Sequence, residues 1–264
     1  MDPFTVTRGD SPIVLGMPHT GTWLPEEVFE ALNPRGQELA DTDWHIHRLY
    51  EGLLPGATVV RATFHRYLID ANRDPSGASL YPGQNTTGLV PMVDFDGAPI
   101  WQAEPDDAEI AARRKAYHAP YHAALQAELG RVKARHGVAI LYDCHSIRSE
   151  IPFLFEGRLP DFNIGDNEGR TCAPAITKAV EEVCAKAPGY TGITNGRFKG
   201  GWTTRHYGQP ANGLHAIQME LAQSTYMQES APWTYLEERA NETRTHLKTL
   251  LGKLESLALD GELT

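Results

Sequence analysis

Four apolar runs of this chain are each followed or closed by side chains able to do chemistry. IVLGMP leads into His19-Thr20-Gly21, and YLIDA into Asn72-Arg73-Asp74. AILY leads into Asp143-Cys144-His145-Ser146, and Glu220 stands near the end of HAIQM. Open α/β sheets bind ligands beyond the carboxyl ends of their strands. If these runs are parallel strands, two imidazoles, an arginine and several carboxylates emerge on one side. A neutral imidazole at a strand end is a common catalytic-zinc ligand, which suits His145 and, in an equivalent turn, His19. Asp143 either orients an imidazole or caps a turn. DTDWHIHR offers the third ligand from Asp41, Asp43, His45 and His47; on a helix 43 and 47 share a face, as do 41 and 45. Asp43 is the choice, because one carboxylate and two histidines leave a position open for water. Glu220 interrupts an apolar strand. Burying a lone carboxylate is costly and raises its pKa, which suits a general base near neutrality.

Other signals are weaker. His118 and His122 have HxxxH spacing, but the Glu of HExxH is missing and Pro120 interrupts the turn, so lining or supporting roles fit better. Cys144 next to His145 suggests a thiol nucleophile, yet neighbours on a strand point to opposite faces. GRFKGGWTTRHY at 196–207 lacks the Lys-Ser/Thr ending of a phosphate loop. It reads as a substrate loop in which Arg197, Lys199, Arg205 or His206 meets an anion.

The elements that must position these residues alternate short apolar runs with longer amphipathic ones, as in a layered α/β protein. Strands are expected at 11–18, 57–63, 67–71, 138–144 and 214–221. Helices are expected at 25–32, 36–54, 173–186 and 233–257. Tyr117, Tyr121, Leu125, Leu129 and Val132 mark one face of a further helix, which Pro120 kinks or divides and Gly137 stops. Residues 74–104, rich in Gly, Pro, Asn and Asp, read as a long ordered loop, a feature more often functional than idle. No composition break divides the 264 residues, so residues 1–264 are expected to form one catalytic domain.

Composition narrows the partners. The net charge is −10 with no Lys/Arg block, which argues against nucleic acid or an anionic membrane surface. A small anionic substrate needs only one or two arginines. No run approaches the ~18 apolar residues of a membrane span, and no secretory signal is visible. Three cysteines without a CxxC pair fit a reducing cytoplasm. Whether the chain is a monomer or a homo-oligomer is not written in these features.

Together, MPHTG, DTDWHIHRLY, YLIDANRDP, SLYPGQNTTGLVP, RRKAYHAPYHAAL, DCHSIRSEIPFLFEGRLPDFNIG, NGRFKGGWTTRHYG and LHAIQMELAQSTYM resemble the N-formylglutamate amidohydrolases (deformylases). The similarity runs in order from about residue 13 to 230. The resemblance implies a zinc-peptidase-like fold, three-layer α/β/α with a mixed, mostly parallel central sheet. It implies one zinc per chain, with another divalent metal as the alternative, and hydrolysis of N-formyl-L-glutamate to formate and L-glutamate, a histidine-degradation step. By analogy with zinc carboxypeptidases, His19 and His145 match the histidine ligands and Glu220 the catalytic glutamate. The acidic ligand of those enzymes falls on Thr22 here, so Asp43 is argued separately. For the two substrate carboxylates Arg73 leads, with Arg205 and Arg148 behind it and Asn72 adding an amide. His206 or Arg205 is the expected oxyanion donor, and Trp202 the wall that rejects acetyl. The competing readings are a deacylase of another N-acyl amino acid or small peptide, a metal-free binding protein, and a thiol hydrolase.

Overall fold

The structure, a computed structural model, describes residues 1–79, 83, 85–261 and 263. Leu80, Tyr81, Pro82 and Gln84, within the SLYPGQNTTGLVP segment, lie outside the described residues. One seven-stranded mixed sheet runs through the molecule. Its strands are β1 (Phe4–Thr7), β2 (Ile13–Met17), β3 (Thr58–Ala62), β4 (Ala139–Ile147), β5 (Phe162–Gly165), β6 (Gly192–Thr194) and β7 (Leu214–Ala222). They lie in the order β1-β3-β2-β4-β7-β5-β6. The central four, β3-β2-β4-β7, are parallel, whereas β1 and β5 run antiparallel to their partners β3 and β7.

Helices cover both faces. On one side lie α1 (Glu26–Ala31) and α4 (Ala119–His136), which pack Val28, Tyr121, Leu125, Leu129 and Val132 against Val14, Leu141 and Ala216. On the other lie α2 (Ile46–Tyr50), α5 (Pro174–Ala185) and α7 (Glu237–Leu259), packed on Leu15, Ile140, Tyr142 and Met219. This is the expected three-layer architecture. All nine residues of β4 are buried, because helices press on both faces, and that is why VAILY reads as unbroken apolar sequence. Among the described residues, no helix is long and apolar enough to cross a membrane.

The helix face read from Tyr117 to Val132 is real, but the helix has three parts. α3 (Asp107–Arg113) opens on a capping box between Asp106 and Glu109. A π-helical turn (Arg114–His118) follows, and Pro120 then sits in the first turn of α4. The wide turn accommodates the proline, which has no N–H to donate. Gly137, at φ 78°, ends α4.

Two expected elements are corrected. Residues 36–54 are not one helix. Only Gly36–Glu38 (a 3₁₀ turn) and α2 are helical, because Leu39 (φ 53°) and His45 (φ 61°) are left-handed and redirect the backbone between them. Residues 67–71 are turns rather than a strand, closed by Leu68 N–H to His65 O (3.0 Å) and Arg73 N–H to Asp70 O (3.2 Å). Their apolar character reflects burial in the core beside α4. The closing helix begins at Glu237, after Trp233 adopts φ 59°. The short strands β1, β5 and β6, and helix α6 (Trp202–Tyr207), had no periodic signal. Among its described residues, 74–104 holds no helix or ladder strand, only bridges such as Val93 to Pro99.

Candidate metal centre and active site

Strands β2, β4 and β7 are parallel, so their carboxyl ends open on one edge. His19 lies two residues beyond β2, His145 lies in β4 and Glu220 in β7. Asp43 arrives by a different route. The left-handed turns at Leu39 and His45 let its N–H donate to His19 O (3.1 Å) and fold its carboxylate between the imidazoles. Asp43 Oδ2 is 3.2 Å from His145 Nδ1 and 3.7 Å from His19 Nδ1. One atom each from His19, Asp43 and His145 lies within 4.8 Å of the others, and all three residues are buried.

These separations fit a small cation. Ligands at zinc's usual 2.0–2.2 Å, in tetrahedral array, stand about 3.4 Å apart. The outer ring nitrogens are also engaged. His19 Nε2 donates to Asp70 Oδ1 at 2.6 Å, and His145 Nε2 is 3.1 Å from Asp143 Oδ1 and 3.2 Å from Asn72 Nδ2. The carboxylate bonded behind His19 fixes that ring and directs Nδ1 at the centre, the usual support of a histidine metal ligand, and Asp143 stands in the same place behind His145. Two nitrogens and one oxygen suit a divalent cation such as zinc.

Electrostatics prepare the donors differently. Burial, with Arg66 beside it, lowers the His19 pKa against the pull of Asp70, leaving a neutral ring at neutral pH. His145 is also buried, but Asp143 and Asp43 flank it and carry its pKa well above the ordinary value. His19 is thus ready to bind a cation directly, whereas His145 exchanges a proton for it. Burial alone would raise the Asp70 carboxyl, yet Arg66, Arg73 and His19 hold it well below the usual range. Arg66 donates to Asp70 Oδ2 at 2.6 Å. Glu220 is 7% exposed, and burial pushes its carboxyl up to about 8. Its Oε2 accepts from Gln218 Nε2 at 3.1 Å.

An open-mouthed cavity contains His19, Asp43, His145 and Glu220 in its lining. Asn72 and Arg73 line it too, as does Arg66. Gly201 stands against Asn72, where a Cβ would come within 2.2 Å of Nδ2, so a larger residue would displace that amide. Thr203 N–H donates to Asn72 Oδ1 at 2.8 Å, which turns Nδ2 toward His145.

Four expected site residues are elsewhere. The stretch from Trp202 is helical, and its turn directs Thr204 inward to Asp143 Oδ2 (2.9 Å). Trp202 is stacked on exposed His206, with ring centroids 4.3 Å apart, and meets His122 edge-on. Arg205 Nε donates to Gly200 O at 2.8 Å, and Arg148 is paired with Asp96 at 2.9 Å. None of the four lines the cavity. His118 and His122 contact Arg73 O (3.0 Å) and Ala71 O (2.7 Å), gripping the backbone on either side of Asn72. Cys144 points into the opposite core, where burial raises its thiol pKa well above the ordinary value. Asp70 and Arg66 do not stand at a strand end and are not singled out by that criterion. Asp70 did carry a signal, a lone carboxylate interrupting the apolar YLI-D-A, the same cue that marked Glu220.

Comparison with known proteins places the chain in a family. The family profile described as N-formylglutamate amidohydrolase matches residues 11–227. The N-formylglutamate deformylase of Pseudomonas aeruginosa is 47% identical over 252 residues, 94% of each chain. That of Pseudomonas putida is 46% identical over 250 residues, 94% of this chain and 93% of its own. The solved N-formylglutamate amidohydrolase of Ralstonia eutropha JMP134 superposes with TM-score 0.79 at 29% identity, covering 96% of this chain and 98% of that one. With a match along most of its length and a common fold, this chain belongs to the N-formylglutamate amidohydrolase family.

Proposed function

We propose that this protein is a metal-dependent deformylase that hydrolyses N-formyl-L-glutamate to formate and L-glutamate. The observation that carries the reading is the meeting of His19, Asp43 and His145 in the cavity that Glu220 also lines. The donor set favours zinc, held by His19 Nδ1, Asp43 Oδ2 and His145 Nδ1. A zinc ion there supplies Lewis acidity, lowering the pKa of a water toward ~7 and polarising the formyl oxygen.

The chain's own residues do the rest. Glu220 takes a proton from the attacking water as the new C–O bond forms. It then passes that proton to the glutamate nitrogen as the C–N bond breaks. Its burial supports the role, because it raises the carboxyl above the usual range and so brings proton uptake and return closer to neutrality. Arg66, buried in the cavity wall, supplies positive charge for the developing oxyanion, the part first sought in His206 or Arg205. Asp70 fixes Arg66 and His19 at once, so cation and ligand share one brace. Arg73 and Asn72 bind the α-carboxylate.

The test is direct. Purified protein should release formate from N-formyl-L-glutamate, lose that activity to a chelator and regain it with zinc. Zinc-loaded protein that releases no formate would refute the reading.

A further inference from the structure

Three arginines line the cavity. Arg66 is buried and paired with Asp70. Arg73 follows, its side chain 19% exposed, with Nε and Nη2 donating to the Thr87 carbonyl and hydroxyl, both at 2.9 Å. Arg197 is half-buried like Arg73, but it is bonded to a more exposed segment. Its Nε donates to Leu154 O at 3.0 Å and its Nη2 to the carbonyl of exposed Asn85 at 2.9 Å. The segments bearing those carbonyls are tied together, because Asn85 Nδ2 donates to Phe153 O at 2.8 Å. The guanidinium also lies 5.5 Å from the Phe198 ring centre. Three chain segments therefore aim this side chain. Backbone anchors of this kind fix the plane of the guanidinium, the group whose geometry matches a carboxylate.

The constitution of the substrate orders the contacts. In N-formylglutamate two atoms separate the formyl carbon from the α-carboxylate carbon, and four separate it from the side-chain carboxylate carbon. With the formyl carbon at the His19–Asp43–His145 end, the α-carboxylate stays deep and the side-chain carboxylate extends toward the mouth. Resting on the deformylase reading of this same site, we propose that Arg197 is the specificity-determining residue for the side-chain carboxylate. Arg73 and Asn72 serve the α-carboxylate, and Phe198 and Leu154 flank the aliphatic arm.

The experiment compares N-formylglutamate with N-formylglutamine, which has the same shape and a neutral side chain. Zinc-loaded wild type should prefer the dianion. Arg197→Gln should lose roughly 10- to 100-fold in kcat/KM on N-formylglutamate, chiefly through KM, and little on N-formylglutamine. The ratio of the two, taken on one preparation, does not depend on the active fraction. Arg197→Lys, which keeps the charge without the fork, should fall between. Arg73→Ala should lose on both substrates, since both carry the α-carboxylate. A wild type without preference, equal losses on both substrates in Arg197→Gln, or unchanged ratios in both Arg197 variants would overturn the role of Arg197. A wild type that deformylates neither substrate would overturn the underlying reading instead.

Discussion

His145 and Glu220 are register partners on the adjacent parallel strands β4 and β7, so their side chains leave the same face of the sheet at the same level. The ladder of backbone hydrogen bonds therefore sets the distance between a candidate metal ligand and a candidate proton acceptor. Asp143 and Gln218 form the same pairing one step earlier, and they brace His145 and Glu220 respectively. Cys144 and Met219, between these pairs in register, face the opposite core. Sites built on ladder strands are held more tightly than sites on loops.

Replacing the acceptor should separate chemistry from metal binding. Glu220→Gln keeps the shape of the side chain but cannot take a proton. Turnover should fall by roughly 10²- to 10⁴-fold, the usual contribution of a positioned acid–base group. Zinc stoichiometry, read by elemental analysis, should remain one per chain. Full turnover in this variant would remove Glu220 from the mechanism.

Removing a ligand should do the reverse. His19→Ala or Asp43→Ala leaves two of the three donors, and the purified variant should carry little zinc. Zinc should raise the Tm of metal-stripped wild type, since it binds the folded state preferentially, but not that of the variants. A variant that still binds stoichiometric zinc would dismiss that residue as a ligand.

Asp70 should matter although it touches no metal. It accepts from His19 Nε2 and from Arg66, both at 2.6 Å. Asp70→Asn should weaken zinc affinity by about 10- to 100-fold, as loss of such support commonly does. Competition against a chromophoric chelator measures it. Unchanged affinity would show that the ring of His19 is oriented by packing alone.

His122 should make the fold acid-sensitive. Burial, with His118 beside it, lowers its pKa to about 3. The unfolded-chain value is about 6.5. Between these values the unfolded state binds a proton that the folded state excludes. Stability present above about pH 6.5 is therefore lost as the pH falls toward 3, by at most about 1.4 kcal/mol per pH unit for this group. His122→Gln, which can still donate to Ala71 O, should flatten the dependence of Tm on pH in that window. An identical slope would place the acid sensitivity elsewhere.

Much of the site was legible because strands announce themselves. His19, His145 and Glu220 could be singled out from sequence because each follows or interrupts a run whose burial on both faces leaves an unmistakable apolar signature. The same cue, used too narrowly, passed over Asp70. Arg205, His206 and Trp202 were misplaced for a local reason. Without a visible period, 196–207 read as a loop, whereas the helical phase of its last six residues turns these side chains off the cavity and Thr204 onto Asp143. Arg148 was drawn away by a charge partner, Asp96, from a distant segment.

Sequence by itself determined the layered α/β class, most of the central strands and the chemistry waiting at their ends, because hydrophobic periodicity is a local property. Only the tertiary structure decided which of those groups meet. Asp43 reaches the two imidazoles through two left-handed residues, Leu39 and His45, that a helical pattern conceals. Arg66, Arg73 and Arg197 are held in place by Asp70, Thr87, Leu154 and Asn85, each brought there by chain folding. Such contacts are set by packing and charge compensation between remote segments, and local spacing carries no record of them.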